Sequence, residues 1–324
     1  MNWITRWKKI GIKVRQILKK QPAGKQVTDW KNCPQCKKIS YLPDLVKNSY
    51  ICECSFHFDL PPKLRLDSLF DSAYEIIEAP NNINPDPLNF EVKDGAREGY
   101  KYIDKIKKYR KSTGQQTALM CASGKISSLN AVVVCFNFKF GGGRLGPVEA
   151  EHFLKAANFA IEKKVDIWIV IYQSSGIDVH TGITGLSGMT KSIIAMDQIK
   201  KVGIPTFAIA ARAVAGGTYA SSFFMHDFIL IESKCVENLL FSGKRVTANI
   251  LKGTDQIPDD FGTAAGVMKS GLADKTLESR KELKDTITKL ANIILKKEEV
   301  ESLNNVEEAH ENPEDFKKTA STAS

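Results

Sequence analysis

The 324-residue chain has no apolar run approaching the roughly 20 residues that a bilayer crossing needs. Its longest apolar stretches, around Val165–Ile171 and Ala131–Cys135, are of strand length. The opening residues Trp3-Ile4-Thr5-Arg6-Trp7-Lys8-Lys9 lack the apolar centre and small-residue cleavage site of a secretory leader, so a cytoplasmic protein is expected. Two phosphate-binding signatures are also missing: Gly-x4-Gly-Lys-Ser/Thr, and Gly-x-Gly-x2-Gly with an acidic residue after the next strand. Their absence argues against nucleotide hydrolases and dinucleotide oxidoreductases. Histidine is scarce, at five residues. Of these, His180 sits in a glycine-rich turn and alone invites a general-base reading, which no adjacent Ser/Asp constellation supports. His152, His226 and His310 show no partners in the sequence. There is no internal repeat. An apolar fraction of 43% with 26% charged residues excludes collagen-like, mucin-like and largely disordered chains.

What charge there is lies unevenly. The net charge is +9, yet residues 1–31 hold nine Lys/Arg against Asp29 alone, while residues 296–324 hold four Lys against eight acidic groups. A basic body with a more basic N-terminal segment suits polyanionic partners: nucleic acid, acidic lipid or a phosphorylated cofactor. Trp3, Trp7, Ile10, Val14 and Ile17 recur with helical period among lysines, which predicts an amphipathic helix that packs on its own body, on a partner subunit or on a membrane surface. The acidic end beyond 297 reads as a disordered tail.

Between these ends the pattern is α/β. Strands are predicted near 117–121, 129–138, 166–172, 205–210 and 226–231. Helices are predicted near 66–77, 96–112, 147–163, 184–201, 216–224, 244–252, 262–269 and 276–296, with a proline- and asparagine-rich loop over 80–96.

Seven cysteines in a chain without an export signal point to reduced thiols. Cys33-Pro34-Gln35-Cys36 and Cys52-Glu53-Cys54 form the strongest local signal. Two thiolates on each of two tight turns complete a tetrahedron around Zn²⁺, the arrangement of a closed structural site. The second pair has one intervening residue where two are usual, so His57 is held as a reserve ligand. Cys121, Cys135 and Cys235 lie in or beside apolar runs and read as buried small hydrophobes.

Three glycine-rich turns follow strands. Gln173-Ser174-Ser175-Gly176-Ile177-Asp178-Val179-His180-Thr181-Gly182 is the first, and Arg212-Ala213-Val214-Ala215-Gly216-Gly217-Thr218-Tyr219 the second. Gly141-Gly142-Gly143-Arg144-Leu145-Gly146 is the third. Glycines at a strand-to-helix turn let a ligand approach the backbone, where helix N-terminal N–H groups can hold a phosphate or an enolate-like oxyanion.

Taken in order, these segments resemble the β subunit of the bacterial acetyl-CoA carboxylase carboxyltransferase over residues 1–295. Met1-Asn2-Trp3-Ile4, Trp30-Lys31-Asn32-Cys33, Arg65-Leu66-Asp67-Ser68-Leu69-Phe70-Asp71, the glycine turns, Phe241-Ser242-Gly243-Lys244-Arg245-Val246, Ile257-Pro258-Asp259-Asp260-Phe261 and Gly271-Leu272-Ala273-Asp274-Lys275 carry the resemblance. It implies a crotonase-like α/β fold, a superhelix of ββα units, preceded by a zinc-ribbon-like knuckle. The implied organisation is a basic segment at 1–31, the knuckle at 32–60, the carboxyltransferase domain at 61–296 and the tail at 297–324.

The implied activity moves a carboxyl group from N-carboxybiotin on a carrier protein to acetyl-CoA, giving malonyl-CoA. The implied partners are an α subunit in an α2β2 heterotetramer, the biotin carboxyl carrier protein and biotin carboxylase. By position, Gly216 and Gly217 are one candidate oxyanion donor pair and Ser175 with Gly176 the other. Arg144, Lys244 and Arg245 are candidate neighbours of the CoA phosphates, and Cys33, Cys36, Cys52 and Cys54 are the implied zinc ligands.

The first turn departs from the family's Ser-Gly-Gly-Ala-Arg-Met-Gln-Glu-Gly. Ser175 replaces a glycine, and strain is expected there if the position needs a positive φ. Asp178 replaces the arginine, and an unpaired carboxylate there would repel an anionic substrate. Two competing readings follow. One is a paralogue for another acyl-CoA, or a catalytically weakened assembly or regulatory subunit. The other is a zinc-knuckle nucleic-acid binder, which the basic N-terminal segment favours.

Overall fold

The computed structural model describes residues 30–92, 99–232, 238–251, 253 and 257–295, with the side chains of Lys244 and Arg245 outside that description. The expected N-terminal amphipathic helix, Cys235, His310 and the acidic tail also lie outside the described residues. The chain divides into two units, one ending at Phe58 and the other beginning at Asp59.

In the first unit, β1 (Trp30–Asn32) pairs antiparallel with β2 (Ile39–Tyr41), and α1 (Leu42–Lys47) follows directly. The register sets Trp30 opposite Tyr41, with ring centroids 5.0 Å apart. Leu45, Tyr50 and Phe58 are buried together with Cys33 and Cys52. That is a very small apolar interior, and folds of this size ordinarily need a metal or disulfides to hold them.

The second unit is built on a mixed sheet. Its strands are β3 (Glu75–Ile77), β6 (Leu119–Ile126), β7 (Leu129–Phe136), β8 (Ile167–Ser174), β9 (Thr206–Ala215), β10 (Phe228–Glu232), β11 (Leu239–Leu240) and β12 (Lys275–Leu277). The order across the sheet is β12-β10-β9-β8-β7-β6-β3, with β11 also pairing β9. From β7 through β8, β9 and β10 to β12 the strands run parallel, while β6–β7 and β3–β6 are antiparallel. A short separate hairpin joins β4 (Glu91–Val92) to β5 (Tyr100–Lys101).

The helices are α2 (Pro62–Leu69), α3 (Tyr102–Thr113), α4 (Pro147–Glu162), α5 (Ile183–Lys201), α6 (Gly216–Tyr219), α7 (Lys244–Ile250), α8 (Ala264–Lys269) and α9 (Leu283–Leu295). Both faces of the central strands are covered, so β8 is buried along its length and apolar through Tyr172. Trp168, Val170 and Tyr172 face a core shared with Phe153, Ala157, Met196 and Ile199, from α4 and α5. Ile167, Ile169 and Ile171 face the opposite core, with Leu66, Leu69, Leu283 and Ile287 from α2 and α9.

Four predicted helices differ, and the one over 216–224 breaks after Tyr219 and resumes as a 3₁₀ turn over Ser222–Met225. The one over 66–77 ends at Leu69: Pro62 opens it one turn earlier, Phe70 turns extended (ψ 143°), and 75–77 becomes an edge strand on β6. The one over 96–112 starts at Tyr102, because Tyr100–Lys101 pairs with Glu91–Val92 first. The last helix starts at Leu283, since Lys275–Leu277 extends the parallel sheet and Ser279 caps the following turn, its own N–H donating to Glu282 Oε1 at 3.1 Å. In physical terms, a short strand needs only a partner edge, and for 75–77 and 275–277 that edge is formed by residues far along the chain, which leaves no local trace.

Candidate functional site

In the first unit the four sulfurs of Cys33, Cys36, Cys52 and Cys54 lie within 4.8 Å of one another, with Cys33–Cys54 at 3.6 Å and Cys36–Cys52 at 3.7 Å. Tetrahedral thiolates around zinc stand about 3.8 Å apart, given Zn–S bonds of about 2.3 Å, so the group fits the ion. The two turns are built alike. Cys33 N–H donates to Lys38 O and its carbonyl accepts from Lys37, which has φ +61°. Cys52 N–H donates to Phe56 O and its carbonyl accepts from Ser55, with φ +66°. The second loop is one residue shorter and closes as a tighter turn, which is how Cys-x-Cys supplies the geometry of Cys-x2-Cys. His57 does not join the sulfur group; it is buried on a bridge to Ile51.

Burial opposes ionisation of Cys33, but backbone N–H groups of Cys36 and Gln35 outweigh it and hold the thiol down at about 7. Thiolates stabilised by such N–H donors are the form a metal needs. A Cys36→Ser chain is expected to lose stoichiometric zinc by elemental analysis and to become protease-sensitive between residues 30 and 58. Full metal content in that variant, with protection intact, would remove the ion from the account.

In the second unit the sites converge at the carboxyl ends of β8 and β9, where parallel α/β sheets place ligands. The registers of the two strands shift beyond Tyr172, and their turns meet. A side-chain carbon on Gly176, which has φ +113°, would lie 3.0 Å from Ala215 O and 3.4 Å from Gly217 N. One on Gly217 would overlap Ile177 Cδ1 at 2.2 Å. Ser174 Oγ links the turns, bonding Thr218 Oγ1 at 2.9 Å and accepting from Gly176 N–H at 3.1 Å.

Three of the four expected donors have acceptors within the chain. Ser175 N–H donates to Gly142 O, Gly176 N–H to Ser174 Oγ and Gly216 N–H to Phe241 O. Gly217 is the second residue of α6, in the first helical turn where N–H groups have no intrahelical acceptor, and its Cα lies against Ile177 of the first glycine turn. Ser175 is not among the positive-φ residues, so the strain expected from losing a glycine is absent; the left-handed position is Gly176. The third glycine run is structural. Gly141, Gly142 and Gly143 all have positive φ, and a Cβ on Gly143 would strike Gln173 O at 1.8 Å. Beside α6 lies a cavity of about 450 Å³ lined by Tyr219, Leu240, Phe241, Phe261 and Val267 among others.

Arg144 was expected near CoA phosphates, yet it is buried and engaged internally. Its guanidinium pairs with Asp178, meets the Tyr102 hydroxyl and stands 3.7 Å from Glu149 Oε1. Asp178, expected to repel substrate, is likewise buried and paired, accepting from Arg144, Tyr102 and His180. Burial and the neighbouring Asp178 push the Tyr102 hydroxyl well above its ordinary range, so it stays a donor. Lys244 and Arg245 open α7, and their side chains lie outside the described residues.

His152 and His226, without partners in sequence, gain them in the fold. His152 bonds Ile77 O at 2.7 Å and Thr117 Oγ1 at 3.3 Å, and His226 bonds the Tyr172 hydroxyl at 3.0 Å. Burial pushes His226 down to about 3, a neutral structural imidazole. Cys121 and Cys135 are buried as expected.

A parallel-centred α/β sheet with two facing glycine turns at its carboxyl edge defines a crotonase-like fold. The carboxyl transferase domain family matches residues 101–322, and the chain belongs to that family. It is 30% identical over 92% of its length to the acetyl-coenzyme A carboxylase carboxyl transferase subunit beta of Pelagibacter ubique, covering 93% of that protein. It is 34% identical over 80% of its length to the same subunit of a Sulfurihydrogenibium species, covering 88% of that protein. Among solved structures, transcarboxylase 12S matches with a TM-score of 0.57 and 21% identity, over 72% of this chain and 41% of that one. A Pseudomonas malonate decarboxylase hetero-tetramer matches with a TM-score of 0.54 and 17% identity, over 73% of this chain and 82% of that one. Both are likenesses of fold.

Among the described residues, no helix is long and apolar enough to cross a membrane.

Proposed function

We propose that this chain is the β-type half of a biotin-dependent carboxyltransferase, moving a carboxyl group from N-carboxybiotin to the methyl carbon of acetyl-CoA in fatty-acid synthesis. The observation that carries the reading is Gly217, whose nitrogen lies 3.4 Å from where a side-chain carbon on Gly176 would stand, across two turns in a chain of this family. The N–CO₂ bond of carboxybiotin breaks, a C–C bond forms at the methyl carbon, and the methyl proton ends on the ureido nitrogen. Between those states the thioester carries enolate charge, and a fixed backbone donor aimed at that oxygen lowers the barrier by about 3–4 kcal/mol. Ser174 and Thr218 hold the donor in place, so little reorganisation is needed as charge develops. The apolar cavity beside Tyr219 suits the uncharged end of the thioester, and Lys244 and Arg245 suit its phosphates.

Zinc, held by Cys33, Cys36, Cys52 and Cys54, supplies a structural cross-link for a unit with little core of its own. The proposed setting is a cytoplasmic α2β2 heterotetramer with an α subunit, served by a biotin carboxyl carrier protein and biotin carboxylase. The test is malonyl-CoA-dependent carboxylation of free biocytin by this chain co-expressed with its α-type partner. Turnover is expected. A stable complex that binds CoA thioesters without turnover would favour the assembly or regulatory reading instead.

A further inference from the structure

The cavity of about 450 Å³ beside α6 is larger than an acetyl group needs. Its volume falls within the roughly 300–1,000 Å³ of pockets that enclose whole small molecules. The acyl part of acetyl-CoA adds a single methyl group to the thioester carbonyl, so most of this space lies beyond its reach.

Three observations tie the cavity to the second glycine turn. Tyr219, in the cavity wall, stands two residues after Gly217 on α6. Strand β11 runs beside the end of β9, with Leu239 opposite Val214 and Leu240 opposite Ala215, the residue before Gly216. Phe241 follows, and its carbonyl accepts the Gly216 N–H at 3.1 Å. The strand that leads into the glycine pair is therefore also the one on which the cavity wall is built.

That wall is fixed and mostly apolar. Leu239, Leu240 and Val267 are buried, while Phe241 is 63% exposed and marks the open side. Leu239 N–H donates to Gly262 O at 3.0 Å, and a Cβ on Gly262 would stand 2.4 Å from Leu240 Cδ2. The 258–262 turn is thus pressed onto β11. Of the polar side chains in the lining, Ser270 donates to Val267 O at 2.8 Å and Asp260 stands 3.9 Å from Lys269 Nζ. A hydrocarbon chain asks for no hydrogen bond and suits such a lining. The ureido ring of biotin carries a carbonyl and N–H groups, and asks for more polar partners than this wall offers.

We propose that the cavity is an acyl-chain pocket, so that the site takes straight-chain acyl-CoA thioesters of about four to six carbons as well as acetyl-CoA. The inference rests on the carboxyltransferase reading of this site and widens its substrate class. The N–CO₂ bond of carboxybiotin breaks, a C–C bond forms at the α carbon of the acyl chain, and the α proton ends on the ureido nitrogen. The product is an alkylmalonyl thioester, its alkyl group lying between Tyr219, Leu240, Phe261 and Val267.

The test uses the complex of this chain with its α-type partner. Hexanoyl-CoA should bind at least about tenfold more tightly than acetyl-CoA by calorimetry, since each buried methylene contributes about three- to fourfold. Butylmalonyl-CoA should carboxylate free biocytin, as malonyl-CoA does. Ser270 is exposed and lines the cavity, so Ser270→Phe narrows it from the rim. That variant should lower the ratio of kcat/KM for butylmalonyl-CoA over malonyl-CoA by about tenfold or more. The ratio does not depend on how much of the variant folds. Equal affinity for the two thioesters, or a ratio unchanged in Ser270→Phe, overturns the proposal. So does a variant in which only the biocytin KM rises, which gives the cavity to biotin. Tight hexanoyl-CoA binding without transfer from either donor keeps the pocket and overturns the carboxyltransferase reading instead.

Discussion

Gly217→Val should lower kcat for biocytin carboxylation by about 10²–10³-fold while the CoA-thioester affinity of the complex changes little, the loss expected when one oxyanion donor is lost from the site; valine keeps the backbone N–H, but its side chain pushes that N–H out of place. The size follows from what surrounds the residue. A Cβ there would lie 2.2 Å and 2.3 Å from Ile177 Cδ1 and Cγ1 and 3.0 Å from Met189 Sδ, so even alanine displaces the neighbouring turn. That steric effect separates two explanations. If Gly217 serves only to leave room for Ile177, the double change Gly217→Ala with Ile177→Ala should recover most of the activity. If its N–H holds the developing oxyanion and its bare Cα leaves room for the thioester, the double variant stays slow. A Gly217→Val complex with wild-type kcat would remove this turn from the chemistry altogether. The same substitution at Gly216 is a different experiment: its φ of +59° disfavours any side chain, and its N–H already donates to Phe241 O.

The parts of this site that were legible in sequence were those whose cause is local. Two cysteine pairs on tight turns announce a tetrahedral cluster by spacing, and the shortened second pair still closes because Ser55 takes the left-handed conformation that Lys37 takes in the first. The apolar run through Trp168, Val170 and Tyr172 reads as a strand near 166–172, and it is one, with both faces covered in the fold. What was misjudged depends on residues distant in the chain. Asp178 reads as a charge turned on the substrate until Arg144, 34 positions back, and Tyr102, 76 positions back, close on it. Arg144 reads as a phosphate ligand for the same reason. The His180–Asp178 contact spans only two residues, but nothing in the sequence says that the carboxylate turns back toward the ring. A buried charge is visible only from its partner, and pairing at that range belongs to the fold.

Glu232→Gln is expected to destabilise the second unit by about 3–5 kcal/mol, the cost of breaking a buried ion pair by removing one partner. Glu232 ends β10 with its carboxylate fully enclosed. Arg65 of α2 binds it through two nitrogens, at 2.5 Å and 3.1 Å, and Arg280, just before α9, stands 3.5 Å away. All three side chains are at most 3% exposed. The cluster therefore pins the helices that begin and end the described part of this unit to one strand end, and losing its anion should loosen both. Cys135 offers a direct report. Burial pushes its thiol up to about 12, with Glu232 adding to the rise and Arg65 opposing it. Loosening α2 and α9 would let water and reagent reach it, so in Glu232→Gln the thiol should become reactive in the full chain under conditions where wild type is inert. Replacing all three charges together, by Arg65→Met, Glu232→Leu and Arg280→Met, should recover most of the stability, because an apolar cluster of similar volume incurs no desolvation penalty. An unfolding midpoint unchanged in Glu232→Gln, with Cys135 still protected, would show that α2 and α9 are held by their apolar contacts to β7 and β8 alone.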